Sequence, residues 1–284
     1  MKKWVFLAVL VFGIGYPVIK MPAFFQDNVE IKKYDQAQSG FVDTYEEVRV
    51  TKEDIYRGNL LLVNAEHPMK QESKREDVVN LQHDLTMEVV LLDSEIELSE
   101  GVALAFGKMV AAAEKEGVHH FSINSGYRDF QEQSLLYEEM GSDYALPAGY
   151  SEHNLGVSLD VGSTKAPMNE APEGKWIEEN AWKSGFILRY PKDKTHVTGI
   201  QYEPWHIRYV GLPHSAIIQE KNFALEEYLD YLTQEKNIIA TFKGQKYTVS
   251  YYTVSESETI QLPKNQAFEI SGNNMDGVIV TVQE

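Results

Sequence analysis

The spacing of apolar residues predicts three helices along the chain. Over residues 98–116 apolar side chains recur at helical spacing, Ser99 stands where it can cap the first turn, and Gly117 can end the helix. Residues 130–140 have the same period and predict a second helix. A third helix is expected around residues 216–232.

Shorter apolar or alternating runs predict strands. They lie at residues 60–63, 118–124, 155–161 and 205–210. Because these strands are interspersed with the predicted helices, the pattern favours an α+β fold with mixed helices and small sheets.

Strand-like runs dominate the end of the chain, where Gly, Pro, Asn and Ser separate them. These runs are residues 238–242, 246–252, 258–262, 267–271 and 277–282. We therefore expect a small all-β accessory module at residues 234–284, following a main domain at residues 53–233.

The amino terminus has the pattern of a signal segment. Lys2 and Lys3 precede an uncharged run over residues 4–19, which Lys20 closes. A cleaved signal peptide and an uncleaved anchor both fit, but no small-residue cleavage site precedes Lys20, which favours an anchor at residues 1–25. The charged residues 26–52 then predict a solvated spacer. This arrangement predicts attachment to the cell membrane, with the main domain on the extracytoplasmic side.

Composition excludes several classes of function. Among 284 residues, 26 Lys and Arg stand against 43 Asp and Glu, for a net charge of −17. Without a basic patch, binding to nucleic acid is disfavoured, because phosphate contacts need Lys and Arg. The absence of cysteine excludes disulfides, a thiol nucleophile and thiolate-bound metal. Any bound metal must have nitrogen and oxygen ligands.

One cluster of candidate ligands contains His153 and Asp160. Seven residues apart, they would be about 10 Å apart along a straight helix and about 23 Å apart on a straight strand. Neither arrangement lets both bind one ion. They converge only if the chain turns between them, and Gly156 is a suitable place for that turn.

Two other clusters contain residue types that are common in active sites. Pro204 excludes a helix interior around Glu203 and His206, so these two are not a helical zinc pair. Arg128 follows a predicted strand at a turn, where active-site residues are often held, with Gln133 five positions on. Each residue alone also fits a structural role, such as a packed histidine, a carboxylate capping a turn, or half of a surface ion pair.

The order of these motifs resembles the VanY-type D-alanyl-D-alanine carboxypeptidases, which are zinc peptidases. The residues that carry the resemblance are Ser-Gly-Tyr-Arg at 125–128 with Gln133, Ser-Glu-His to Asp at 151–160, Phe-Ile-Leu-Arg-Tyr-Pro at 186–191, and Glu-Pro-Trp-His at 203–206. Ser158 stands where alanine is common in the family. The resemblance implies an α+β fold like those of VanX and hedgehog proteins, with the site at the edge of a small antiparallel sheet.

The resemblance also implies a role for each site residue. It implies one zinc ion per chain, held by His153, Asp160 and His206, with Glu203 as the general base and Arg128 neutralising the oxyanion. Residues implied to hold or line the substrate are Gln133, Ser151, Ser125 and Tyr190.

The implied activity is removal of the C-terminal D-Ala from peptidoglycan pentapeptides, and of D-lactate from the corresponding depsipeptides, which contributes to vancomycin resistance. A serine mechanism is disfavoured, because S-x-x-K, K-T-G and G-x-S-x-G are all absent. Three alternatives stay open: an L,D-carboxypeptidase, a D,D-dipeptidase like VanX, and a zinc-containing cell-wall module without turnover. The metal ligands do not separate the first two from the D,D-carboxypeptidase, because the pocket walls select the substrate.

Overall fold

The structure, a computed structural model, describes residues 28–34, 44–84, 89–142 and 145–284. Within these ranges the α-helices are α1 (Leu81–Asp84), α2 (Glu100–Lys115), α3 (Phe130–Met140), α4 (Pro172–Asn180), α5 (Thr195–Thr198), α6 (His214–Lys221) and α7 (Leu225–Glu235). Short 3-10 helices span Lys52–Tyr56, Gln71–Ser73, Glu152–Leu155 and Ala181–Ser184.

The strands confirm the mixed α+β character. They are β1 (Val29–Lys33), β2 (Tyr45–Thr51), β3 (Val78–Asn80), β4 (Val90–Leu91), β5 (Glu97–Ser99), β6 (Phe121–Ser125), β7 (Ser158–Ser163), β8 (Phe186–Leu188), β9 (His206–Tyr209), β10 (Asn237–Phe242), β11 (Gln245–Thr253), β12 (Ser257–Pro263), β13 (Ala267–Gly272) and β14 (Gly277–Gln283).

A five-stranded sheet in the order β4-β6-β7-β9-β8 forms the centre of the main domain. Its pairs are antiparallel except for β4 with β6, which is parallel. Phe106 and Met109 of helix α2 belong to one buried core with Leu159 of β7 and Ile207 of β9. This core fixes the register of β7 between its two neighbours: Asp160 lies opposite Ser125 on β6 and opposite His206 on β9.

The C-terminal strands form a second sheet in the order β1-β10-β11-β14-β13, and β12 pairs with β2. Strands β1 and β2 come from residues 26–52, for which the charge pattern predicts a solvated spacer. In β2, Val48 and Val50 alternate with the exposed Glu47 and Arg49, so the apolar side chains pack into the core of the module while the charged ones face solvent.

Two predicted elements are wrong in detail. Residues 60–63 form no strand but a buried segment outside the sheets. Their backbone groups form hydrogen bonds with other partners, for example from Leu60 N–H to Ser271 Oγ at 2.8 Å. The helix expected at 216–232 is two helices, because Asn222 between α6 and α7 adopts the left-handed conformation, with φ 50°. Asn tolerates this conformation better than most residues.

The amino-terminal apolar run at residues 4–19 lies outside the described residues. In the part of the chain that the structure describes, no helix is long and apolar enough to span a membrane.

Candidate active site

Three separate segments bring His153, Asp160 and His206 together. His153 lies on the 3-10 helix Glu152–Leu155, Asp160 on β7, and His206 at the start of β9. The predicted turn is at Gly156, which ends the 3-10 helix in the left-handed conformation with φ 82°. One ligand atom from each of the three side chains lies within 4.8 Å of the other two, so this group could hold a metal ion.

The hydrogen bonds of the two histidines determine which ring nitrogens face the site. Nδ1 of His153 donates to the carbonyl of Gly126 at 2.6 Å, and its Nε2 lies 3.4 Å from Asp160 Oδ2. In His206 it is Nδ1 that lies near Asp160, 3.0 Å from Oδ1, whereas Nε2 faces Glu152 Oε2 at 3.4 Å. Nε2 of His153 and Nδ1 of His206 therefore point to the same carboxylate.

The electrostatics of this group suit a cation. Burial lowers the pKa of His153, so its imidazole is neutral at pH 7 and can act as a ligand. Burial also disfavours a charge on His206, but hydrogen bonds to Asp160 and Glu152 outweigh that effect and raise its pKa to about 9. The site thus attracts positive charge. Two imidazoles and a carboxylate, without thiolate, are a ligand set that fits zinc.

Glu203 and Arg128 lie at the edge of this group. Glu203 Oε2 is 4.0 Å from His206 Nδ1, and the side chain keeps 28% of its surface exposed. Burial raises the pKa of the Glu203 carboxyl above its usual value. Arg128 donates its backbone N–H to the carbonyl of His153 at 3.1 Å, while its buried side-chain Nε has no hydrogen-bond partner among the described residues.

The four residues implied to hold or line the substrate have the following contacts. Gln133 on α3 is 1% exposed and donates its Nε2–H to the carbonyl of Leu146 at 2.6 Å, and within the described ranges its Oε1 has no hydrogen-bond partner. Ser151 Oγ accepts the backbone N–H of His153 at 3.4 Å, so it fixes the 3-10 helix. Ser125 lies opposite Asp160 across the sheet.

Tyr190, the fourth, packs against a predicted ligand. Its ring centroid is 5.0 Å from that of His206, and its carbonyl accepts the N–H of Glu203 at 3.1 Å. Through these contacts it holds both the ligand and the carboxylate beside it.

The sequence analysis missed Glu152, whose side chain has no exposed surface and forms ion pairs with Arg189 and Arg208. One signal was available. His206 and Arg208 are two residues apart on a predicted strand and so share a face. A charged side chain on the same inward face as a metal ligand needs a buried carboxylate partner.

Comparisons with known proteins show which family the chain resembles. The model of the VanY family, described as D-alanyl-D-alanine carboxypeptidase, matches residues 95–212. A D-alanyl-D-alanine carboxypeptidase from Enterococcus faecium is 59% identical over 292 residues, which cover 99% of this chain and 96% of the relative. The bifunctional D-Ala-D-Ala dipeptidase and carboxypeptidase VanXYC from Enterococcus gallinarum is 36% identical over 192 residues, which cover 62% of this chain and 95% of that protein.

Two solved structures are similar in fold. The crystal structure of the D,D-dipeptidase VanXYg, in complex with a D-Ala-D-Ala phosphinate analog, has a TM-score of 0.75 at 29% identity and covers 85% of this chain and 100% of that one. The LD-carboxypeptidase LdcB has a TM-score of 0.52 at 31% identity and covers 60% of this chain and 84% of that one. The first similarity extends well beyond the matched family region.

Proposed function

The chain belongs to the VanY family of D-alanyl-D-alanine carboxypeptidases, and on that premise we propose that it is a zinc-dependent D,D-carboxypeptidase that removes the terminal D-Ala from peptidoglycan stem pentapeptides. One observation carries the proposal. His153, Asp160 and His206 present ligand atoms within 4.8 Å of one another, and the carboxylate of Glu203 lies 4.0 Å from the nearer nitrogen of His206.

We propose one zinc ion per chain, held by His153 Nε2, His206 Nδ1 and the Asp160 carboxylate. Three protein ligands of this type are usual for catalytic zinc. When bound, zinc supplies Lewis acidity and lowers the pKa of water toward neutrality.

We assign to Glu203 the proton transfer from the attacking water to the leaving amine. A general base works best when its pKa approaches the working pH, and burial shifts that of Glu203 in this direction. Its backbone is fixed as well, because its N–H donates to Tyr190 and its carbonyl accepts the N–H of His206 at 3.3 Å. In our proposal Glu203 takes a proton from the attacking water and returns it to the leaving amine of D-Ala.

Arg128 and Gln133 each have a buried polar atom that a bound substrate could satisfy. Arg128 Nε and Gln133 Oε1 both lack one in the part of the chain that the structure describes, and such atoms are costly unless something satisfies them. We assign Arg128 to the negative charge that develops on the scissile carbonyl oxygen. Gln133 Oε1 accepts an N–H of the substrate's C-terminal residue, with Ser151, Ser125 and Tyr190 around it.

Two other cleavages are the second candidates, because their enzymes share this fold. LdcB is an LD-carboxypeptidase and VanXYg a D,D-dipeptidase. The same ligands and base serve all three reactions, since only the pocket walls need to differ. The presence of both Glu203 and Arg128 at the site argues against a binding module without turnover, which needs neither.

We also propose that residues 1–25 anchor the protein in the cell membrane, with the catalytic domain on the extracytoplasmic side. Trimming D-Ala there, and D-lactate from depsipeptides, removes the group that vancomycin binds. The enzyme would thereby contribute to resistance.

Product analysis tests the proposal. The purified protein is incubated with a muramyl pentapeptide, a tetrapeptide and D-Ala-D-Ala, with and without a zinc chelator, and the products are identified by mass spectrometry. We expect loss of one D-Ala from the pentapeptide, abolished by chelation and restored by zinc. Cleavage of the tetrapeptide or of free D-Ala-D-Ala instead would favour a second candidate, and cleavage of none would contradict the enzyme assignment.

A further inference from the structure

A fully buried charge cluster of the main domain lies directly behind the proposed metal site. The side chain of Glu152 has no exposed surface, and its two oxygens have different partners. Oε1 accepts from Arg189 Nε at 2.8 Å and from Arg208 Nη1 at 2.7 Å. Oε2 accepts from Ser158 Oγ at 3.1 Å and lies 3.4 Å from His206 Nε2.

The contact with His206 determines what that histidine offers to a metal. A neutral imidazole has a hydrogen on one nitrogen and a lone pair on the other. Each nitrogen of His206 faces a carboxylate, Nδ1 facing Asp160 Oδ1 at 3.0 Å and Nε2 facing Glu152 Oε2 at 3.4 Å. Asp160 is itself a proposed ligand, so with a metal held between Asp160 and His206 the lone pair of Nδ1 would be used for binding, whereas Glu152 would keep the hydrogen on Nε2. A carboxylate behind a ligating histidine fixes its tautomer and its orientation.

We propose that Glu152 is a positioning residue for His206, and that Arg189 and Arg208 are needed to hold its carboxylate in place. The inference rests on the proposed metal site but not on peptide cleavage. Glu152 touches neither the substrate nor the metal position in this assignment; it acts only through the ring of His206.

The two arginines tie Glu152 to distant parts of the fold. Arg189 also binds Glu226 at the start of α7, with Nη1 and Nη2 at 3.0 and 2.7 Å from its two oxygens. Arg208 Nη2 donates to the carbonyls of Asn59 and Leu61, both at 2.9 Å. Each guanidinium group is therefore held by a second set of hydrogen bonds on the side away from Glu152. As a result, Glu152 has little freedom to move away from His206.

Glu226 provides a matched control, because Glu152 and Glu226 both bind Arg189 and only Glu152 contacts His206. We would measure zinc affinity of the wild-type protein, Glu152→Gln and Glu226→Gln by competition with a chromogenic chelator. Removal of a group behind a metal ligand typically weakens binding by about 10- to 100-fold, and we expect this loss for Glu152→Gln. Glu226→Gln still offers an amide oxygen to Arg189 and leaves the contacts of Glu152 with Arg208, Ser158 and His206 in place, so its zinc affinity should stay close to the wild-type value. Equal losses in both variants, or none in Glu152→Gln, would overturn the inference.

A second measurement needs no variant, in case Glu152→Gln fails to fold. In zinc-loaded wild-type protein labelled with ¹⁵N-histidine, His206 should show a directly bonded proton on Nε2 and a metal-shifted Nδ1. A proton on Nδ1 would overturn the inference. If the wild-type protein binds no zinc, the proposed function fails together with it, whereas zinc binding without peptide cleavage leaves the positioning role intact.

Discussion

The backbone of Gly126 packs closely against strand β5 and also binds His153 of the proposed metal site. One added methyl group at this position should disturb both contacts. The carbonyl of Gly126 accepts Nδ1–H of His153 at 2.6 Å. A Cβ at this position would stand 2.2 Å from the carbonyl oxygen of Glu97 and 3.1 Å from Ile96 Cγ2. The oxygen is backbone, and it already accepts the N–H of Tyr127 at 2.6 Å, so it cannot easily move aside.

Gly126→Ala must therefore separate the two backbones by about 1 Å to reach ordinary van der Waals contact. The displacement moves the Gly126 carbonyl oxygen, which accepts the hydrogen bond from His153 Nδ1. A misplacement of that size can lower catalytic efficiency by about 100-fold. Zinc affinity should fall as well, by about 10-fold or more. We would measure kcat/KM on a pentapeptide and the zinc dissociation constant of the folded variant.

Gly107→Ala is the matched control. Gly107 lies within α2, and a Cβ there meets nothing within 4 Å. This variant should keep full activity and gain about 0.5–1 kcal/mol in the free energy of unfolding, because alanine favours helix over glycine. If Gly126→Ala is as active and binds zinc as tightly as Gly107→Ala, the argument from the close backbone approach is wrong.

Three further predictions concern Glu203, His214 and inhibition by penicillin. Glu203→Gln should lower kcat by about 10²- to 10⁴-fold while zinc still binds, and retained turnover would exclude Glu203 as the base. Burial lowers the pKa of His214, which is bonded to Tyr228 and Thr281, from 6.5 to about 3. The unfolded state therefore binds a proton that the folded state rejects, so stability is full above pH 6.5 and falls as the pH drops toward 3. Between pH 7 and pH 5 the loss is about 2 kcal/mol. In urea unfolding, the change in stability between the two pH values should differ by this amount between the wild type and His214→Gln, and an equal change in both would contradict this assignment. Penicillin should not inhibit, because the proposed mechanism uses no serine to acylate, and stoichiometric inhibition would refute it.

Local signals predicted part of the fold and the turn that brings His153 and Asp160 together. The helical period of α3 and its cap at Asp129 are encoded within a few residues, and the structure places the helix at the predicted bounds. The turn at Gly156 was predictable because His153 and Asp160 could not otherwise meet. Both results depend on neighbours close in sequence.

What could not be predicted depends on partners far along the chain. Strand β1 pairs with β10, more than 200 residues later, and no local pattern specifies that pairing. The segment at 60–63 resembles a strand in its apolar side chains, yet its Leu61 carbonyl accepts from Arg208 and its Leu62 carbonyl from Asn274. The position of Arg208 indicates that a buried carboxylate is needed, but it does not identify Glu152, whose burial depends on arginines from two other segments.

Zinc titration coupled to turnover tests the central claim most directly. Metal-free protein would receive zinc in steps, and release of D-Ala from a pentapeptide would be followed at each step. The account predicts no release without metal and a linear rise that saturates at one zinc ion per chain, with no such rise in His206→Ala. Full release from protein shown to be free of metal, or saturation that is unaffected by His206→Ala, would contradict it.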